Sequence, residues 1–294
     1  MTLAHPAAVV PLLRRPFVPA ALVAGAMAPD LPYFLRVPVS AQSWYEPFTN
    51  ATATHSLIGM ILLDLPITAA LLLGYLLIRD PVAALLPARL VGIPRQPRRE
   101  GWAVFAFWLL ASAVIGVATH LAWDALTHGD SAVVQNVAFL RADVVDGLTW
   151  NRLLQHLSSV LGLAVLAIVL VRRWRATDPD AEEVRSATGG LSPRGRLFAV
   201  AALGAVAVLG AVSLWSREAA DEMYGDVSVE YVLATLVKGG GAALLAGILL
   251  FSVVWHLSRL STRDRRTPPS VAPDRGNTVA RDGAPETDDL GGSA

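Results

Sequence analysis

Apolar residues in this chain neither alternate nor recur with the spacing of a half-buried surface helix. They come in runs of about twenty, separated by short polar stretches. Five such runs, at about 56–78, 102–127, 152–171, 197–215 and 231–257, are long enough to cross a hydrocarbon core of about 30 Å. Each is expected to be helical, because lipid cannot hydrogen-bond an open backbone. Pro66 lies inside the first run and predicts a kink. Gly239, Gly240 and Gly241, inside the fifth, either loosen that helix or let it pack closely on a neighbour.

The N-terminal part breaks this pattern. Stretches 4–13 and 17–28 are apolar but too short to span, and Arg14, Arg15 and Pro16 divide them. They read as a helical hairpin, re-entrant or lying at the interface. The polar break comes too late for a cleavable signal peptide. Asp30, Leu31, Pro32 and Tyr33 should form a loop that packs back on the bundle. Residues 262–294, rich in Pro, Gly, Asp and Arg, are expected to be disordered. The fold class is therefore all-α, a polytopic transmembrane helical bundle of about five spans. Its parts are an N-terminal hairpin and outer loop (1–54), the bundle (55–261) and a C-terminal tail (262–294).

Composition agrees with a membrane solvent. The chain is 54% hydrophobic and 16% charged, against roughly 25% charged in a typical soluble protein. Its formal charge of zero gives no footprint for a nucleic-acid partner. Cysteine is absent, which excludes disulfides and thiol catalysis, so any metal site must use histidines and carboxylates. Every basic residue except Lys238 is arginine and alanine is abundant, a usage resembling that of high-GC bacteria.

Loop charge gives an orientation. Arg79, Arg89, Arg95, Arg98 and Arg99 follow the first span. Arg172, Arg173, Arg175, Arg185, Arg194 and Arg196 follow the third, and the tail begins with Arg259, Arg263, Arg265 and Arg266. The alternate loops carry Asp130, Asp143 and Asp146, then Glu218, Asp221, Glu222, Asp226 and Glu230. The arginine-rich loops are expected in the cytoplasm with the C-terminus. Residues 29–54, 128–151 and 216–230 are then extracytoplasmic.

Ionisable groups at membrane depth are expensive and mark function. Five of the six histidines fall near the expected outer ends of apolar helices. His5 begins the first short helix, and a hairpin would return Asp30 to its level. His55 opens span one. His120, Asp124 and His128 are four residues apart, near one helical turn, so they share a face. His156 lies near the outer end of span three. Alone, each histidine is more often a helix-end hydrogen-bonding group than a ligand, and His256 is assigned to that ordinary role. Asp64, beside Pro66, is expected to pair with an arginine or cap a broken helix. The tryptophans read mostly as interfacial anchors. Together, the row in span two with His5, Asp30 and His55 offers enough nitrogen and oxygen donors for one or two divalent metals. Zn²⁺ is favoured, with Mn²⁺ and Fe²⁺ as alternatives.

The series Ala4-His5-Pro6, Ala28-Pro29-Asp30, Thr54-His55-Ser56, His120-Leu121-Ala122-Trp123-Asp124-Ala125-Leu126-Thr127-His128 and Gln155-His156-Leu157-Ser158-Ser159 resembles a bacterial integral-membrane family of unknown function. The same order is similar to the membrane-bound metal-dependent hydrolases of the LexA-regulated inner-membrane type. More distantly it resembles the zinc-dependent phospholipase C and P1 nuclease group. That resemblance implies His5, Asp30, His55, His120 and Asp124 as metal ligands, with His128 and His156 as additions. Val160 stands where the soluble group has a glutamate, and Met1 where it has a processed tryptophan, so one or two metals are expected rather than three.

The reading that follows is a membrane-bound metal-dependent hydrolase of a phosphoester or lipid at the outer face. A metal-activated water would be its nucleophile, and Asp30 or Asp124 a ligand or general base. The alternatives are a transporter or scaffold with a buried His/Asp relay, and a polar network that only locks helices together.

Overall fold

Proline decides the first element. With Pro6 and Pro11 inside it, Thr2–Leu12 cannot keep an α-helical ladder and winds as a 3-10 helix. After the Arg14–Pro16 turn, α1 (Pro19–Met27) starts with proline in its first turn, where the missing N–H costs nothing. These two arms are the expected hairpin. Neither lies on the surface of the bundle: Val9, Ala21, Leu22, Ala24 and Ala26 are buried, and the arms pack against α5 (Leu65–Leu85), α6 (Trp102–Thr127) and α9 (Trp150–Ala176).

The computed structural model describes residues 2–34, 43–87, 90–91, 101–176, 191–221 and 229–264. Between α1 and α5 run a 3-10 turn (Leu31–Phe34) and three short helices, α2 (Glu46–Thr49), α3 (Ala51–Thr54) and α4 (Leu57–Gly59). A π-helical turn, Met60–Asp64, joins α4 to α5. Pro66 accounts for this disturbance: it has no N–H for the Leu62 carbonyl four residues back, and the ladder widens over that turn. The outer loop after α6 folds into α7 (Ala132–Asn136), α8 (Ala138–Arg141) and a two-stranded ribbon, β1 (Asp143–Val145) with β2 (Leu148–Thr149). Gly147 supplies the ribbon's left-handed turn residue, φ 78°. The last helices are α10 (Pro193–Asp221) and α11 (Val229–Asp264).

Five helical stretches are long and apolar enough to cross a membrane: Leu57–Leu85, Trp102–Asn136, Trp150–Ala176, Pro193–Arg217 and Tyr231–Leu260. Four of them outrun the apolar segments of the sequence because a formed helix propagates cheaply into polar flanks; α6 itself stops at Thr127, where its apolar run ends. The three glycines of α11 leave it unbroken. A Cβ on Gly239 would strike the backbone of Gly210 and the side chain of Leu214, so this seam is a close approach of α10 and α11.

Burial is inverted relative to a water-soluble domain. Large apolar side chains such as Leu161, Phe198, Val208 and Leu250 point outward, as hydrocarbon surroundings allow. The interior of the spans holds Thr68, Ser112, His120, Asp124, Thr127 and Ser159. Hydrogen bonds fix the relative sense of the helices. Asn151 at the start of α9 donates to the Thr127 carbonyl at the end of α6 (3.0 Å), so these two run antiparallel. His256 of α11 meets the Leu77 carbonyl within α5 (3.0 Å), a helix-to-helix contact where a loop or headgroup partner was expected.

Residues 1–256 form one compact unit. The second, from Leu257, is described only as the last turns of α11, to Asp264. The expected tail beyond Asp264 lies outside the described residues, as do Arg89, Arg95, Arg98, Arg99, Arg185, Glu222 and Asp226 of the charged loops.

Candidate metal centre

Small residues bring the site together. Along α6 the buried positions are Ser112, Ala113, Gly116, Val117, His120, Asp124 and Thr127, one helical face at steps of three and four. Gly116 of α6 and Gly25 of α1 meet there. A Cβ on Gly116 would run into the Leu22 carbonyl, and one on Gly25 into that of Ala113. The two backbones therefore touch. Ser112 holds the entry to α1, its hydroxyl accepting from the Val18 N–H (2.9 Å). This contact carries the Ala26 carbonyl to 2.8 Å from Nδ1 of His120.

A carbonyl oxygen can only accept, so the His120 proton resides on Nδ1 and Nε2 is left to face the pocket. His55 is held in the same way. Its Nδ1 lies 2.8 Å from the Ala51 carbonyl, one turn back through α3, and again Nε2 faces inward. Thr54 ties this turn to the hairpin by donating to the Pro29 carbonyl (2.8 Å), which sets Asp30 beside His55.

Two carboxylates meet these nitrogens. Nε2 of His55 lies 3.2 Å from Asp124 Oδ2 and 3.5 Å from Asp30 Oδ1. Nε2 of His120 lies 3.1 Å from Asp124 Oδ2 and 3.5 Å from Asp30 Oδ1. His55 Nε2 is hydrogen-bonded to Asp124, whereas His120 Nε2 is buried with no hydrogen-bond partner among the described residues. One donor atom from each of Asp30, His55, His120 and Asp124 lies within 4.8 Å of the others. Donors around one ion, with bonds of about 2.0–2.2 Å, lie roughly 3–4 Å apart, so this group could hold a metal ion.

His5 adds a third ring. Its Nε2 is 3.5 Å from the other oxygen of Asp124, and it stacks on His120 at a centroid distance of 3.8 Å. Burial, reinforced by the facing His120 ring, pushes the His5 imidazole down to about 4. On His55 burial also disfavours charge, but the hydrogen-bonded Asp124 and Asp30 carboxylates outweigh it and push this ring up to about 10. The carboxylates thus call for positive charge at the centre of the cluster, which a proton or a metal ion can supply.

Residues 1–253 match the sequence family described as a domain of unknown function, DUF4184. The chain belongs to this family. No curated protein and no solved structure matches this DUF4184 chain.

Of the residues expected at the site, the DUF4184 fold gathers His5, Asp30, His55, His120 and Asp124. His128 stands at the rim: α6 ends there in extended backbone, so the ring leaves the helical row and stacks near His55 at 6.2 Å. Its Nε2 is 3.8 Å from Asp124 Oδ2. His156 is not brought in. The face of α9 that turns inward carries Gln155, Ser159 and Gly162, and His156, one residue out of that phase, is exposed. The expected partner for Asp64 is also missing. It precedes α5 without making a side-chain cap, and among the described residues neither of its oxygens has a hydrogen-bond partner. The carbonyls of Ala26 and Ala51 went unforeseen, because a backbone acceptor leaves no mark in a sequence. Asn151 and Trp123, which donates to Ser158 (3.1 Å), pin α6 to α9 beside the cluster.

Proposed function

We propose that this protein is a membrane-bound metal-dependent hydrolase acting on a phosphoester or lipid substrate. One observation carries the reading. Two imidazoles have Nδ1 committed to backbone carbonyls, which aims both Nε2 atoms at a pair of buried carboxylates. Carboxylate oxygens facing those nitrogens call for positive charge, and a cation held between them supplies it in place of ring protons. Nitrogen and oxygen donors without sulfur suit Zn²⁺, with Mn²⁺ and Fe²⁺ next. The order of motifs, similar to the LexA-regulated membrane hydrolases and more distantly to the zinc-dependent phospholipase C and P1 nuclease group, points the same way.

A divalent ion held there would act as a Lewis acid and bring a water's pKa toward neutrality. The chain's own residues do the rest. His55, His120, Asp30 and Asp124 fix the ion's position, and the Ala26 and Ala51 carbonyls lock the ring orientations that such ligands require. The other oxygen of Asp124, paired with His5 at 3.5 Å, offers a place to accept and return a proton at the edge of the cavity. By the loop charges the site belongs to the outer half of a bacterial plasma membrane, with the C-terminus cytoplasmic.

The test is elemental analysis of detergent-purified protein beside His120→Ala/Asp124→Ala, with a chromogenic phosphodiester as substrate. Bound metal and turnover in the wild type, both lost in the double variant, are expected. No metal above the variant's background overturns the reading; metal without turnover of any ester leaves a structural ion and removes the hydrolase.

A further inference from the structure

A cavity of about 600 Å³ adjoins the cluster, within the roughly 300–1,000 Å³ of small-molecule sites. His5, Asp30 and Asp124 of the cluster line it. Leu161 and Val165 of α9 add hydrocarbon to its lining. Those side chains also face out of the bundle, Leu161 being 63% exposed and Val165 38% exposed. Both lie within the span Trp150–Ala176, so what they face is acyl chain. Part of the cavity's lining thus borders the lipid-facing surface of the bundle.

Lys238 lines this cavity too. It is the sole lysine of the chain, in the span Tyr231–Leu260, about 10 Å along the helix from Tyr231 at 1.5 Å per residue. An ammonium at that depth is costly unless an anion or water meets it, and among the described residues no ion pair holds it. A lysine with no other duty could snorkel to the interface; this one, though exposed, lines the same cavity as the carboxylate–imidazole cluster.

We propose that Lys238 recognises a negatively charged group on an amphiphile that enters from the bilayer. The hydrocarbon of this molecule lies along Leu161 and Val165, and its ester reaches the cluster. This rests on the metal-centre reading and narrows its substrate to an anionic lipid-like ester. A second cavity, of about 510 Å³, carries Arg141 and Arg152 and shares Thr127, His128 and Gln155 with the first. It is the place where a water-soluble phosphate would be held instead.

Native mass spectrometry of the full chain in detergent, titrated with phosphatidylglycerol, phosphatidylcholine and inorganic phosphate, separates these sources. Wild type should retain phosphatidylglycerol about tenfold more tightly than phosphatidylcholine, the size of one charge-assisted contact. Lys238→Gln should abolish the preference, Lys238→Arg restore it, and Arg141→Gln/Arg152→Gln leave it unchanged. Leu161→Trp, which fills the hydrocarbon wall, should weaken both lipids and covers the case of a misfolded lysine variant. An unchanged preference in Lys238→Gln overturns the proposal, as does displacement of the lipid by inorganic phosphate. Zinc content is read on the same samples: its loss from wild type would strike the metal reading, whereas a lipid preference independent of Lys238 with zinc intact strikes only this inference.

Discussion

Two carboxylates are buried in apolar helices of this protein, and they meet opposite surroundings. Asp124 has His5, His55 and His120 around its oxygens, delivered by the hairpin, the α3 turn and its own helix. Asp64, in the π turn before α5, is 0% exposed, and neither of its oxygens has a hydrogen-bond partner among the described residues. Thr68, one turn further, is also buried with an unpartnered hydroxyl. Residue type and burial are the same; the number of chain segments that converge is not. A partnered acid in an apolar interior can serve as a ligand, whereas an orphan is a cost of about 1–3 kcal/mol.

The largest effect should separate the two acids directly. Asp124→Ala is expected to lower zinc affinity by more than about 100-fold, beyond the roughly 10–100-fold that an outer-shell change costs. Asp64→Ala should leave zinc content unchanged in the same elemental analysis. Equal losses would erase the distinction and place Asp64 in the centre.

Next comes the contact that assembles the partnered site. Gly25→Val or Gly116→Val pushes a side chain into the facing backbone and should cost about 1–3 kcal/mol or more, read as a lower Tm in detergent. Zinc affinity should fall with it by roughly 10–100-fold, because the Ala26 carbonyl leaves His120 Nδ1. Gly74→Ala, where an added Cβ would meet nothing within 4 Å, is the matched control, with no loss of either quantity.

Smaller, and opposite in sign, is the effect at the orphan. Asp64→Leu should stabilise the protein by about 1–3 kcal/mol, seen as a raised Tm with metal content unaltered. Destabilisation of that size would mean that the acid has a partner after all. The smallest effect is expected at His156, where alanine should change neither zinc content nor Tm.

The bundle was legible along the chain because hydrocarbon is an undemanding solvent to read. About twenty apolar residues must be helical to cross it, and their length alone places a span. Ends were less legible. Helices run past the apolar stretches into polar flanks, and Pro66 acted one turn upstream, where its missing N–H was felt. The row His120–Asp124 could be seen as a face because both residues share one helix. His128 and His156 show the limit of that method. The first lies beyond the end of the helix, and the second is a single residue off the inward phase, two facts that spacing does not encode.

What the sequence determined by itself, then, is the solvent, the helical spans and the set of donors able to act together. What only the tertiary structure decided is which donors meet and in what state. That depends on Gly25 against Gly116, which brings two backbones into contact, and on the Ala26 and Ala51 carbonyls, which choose the proton position on His120 and His55. Contacts between segments distant in the chain, made through backbone atoms that every residue carries, write no pattern into the order of side chains.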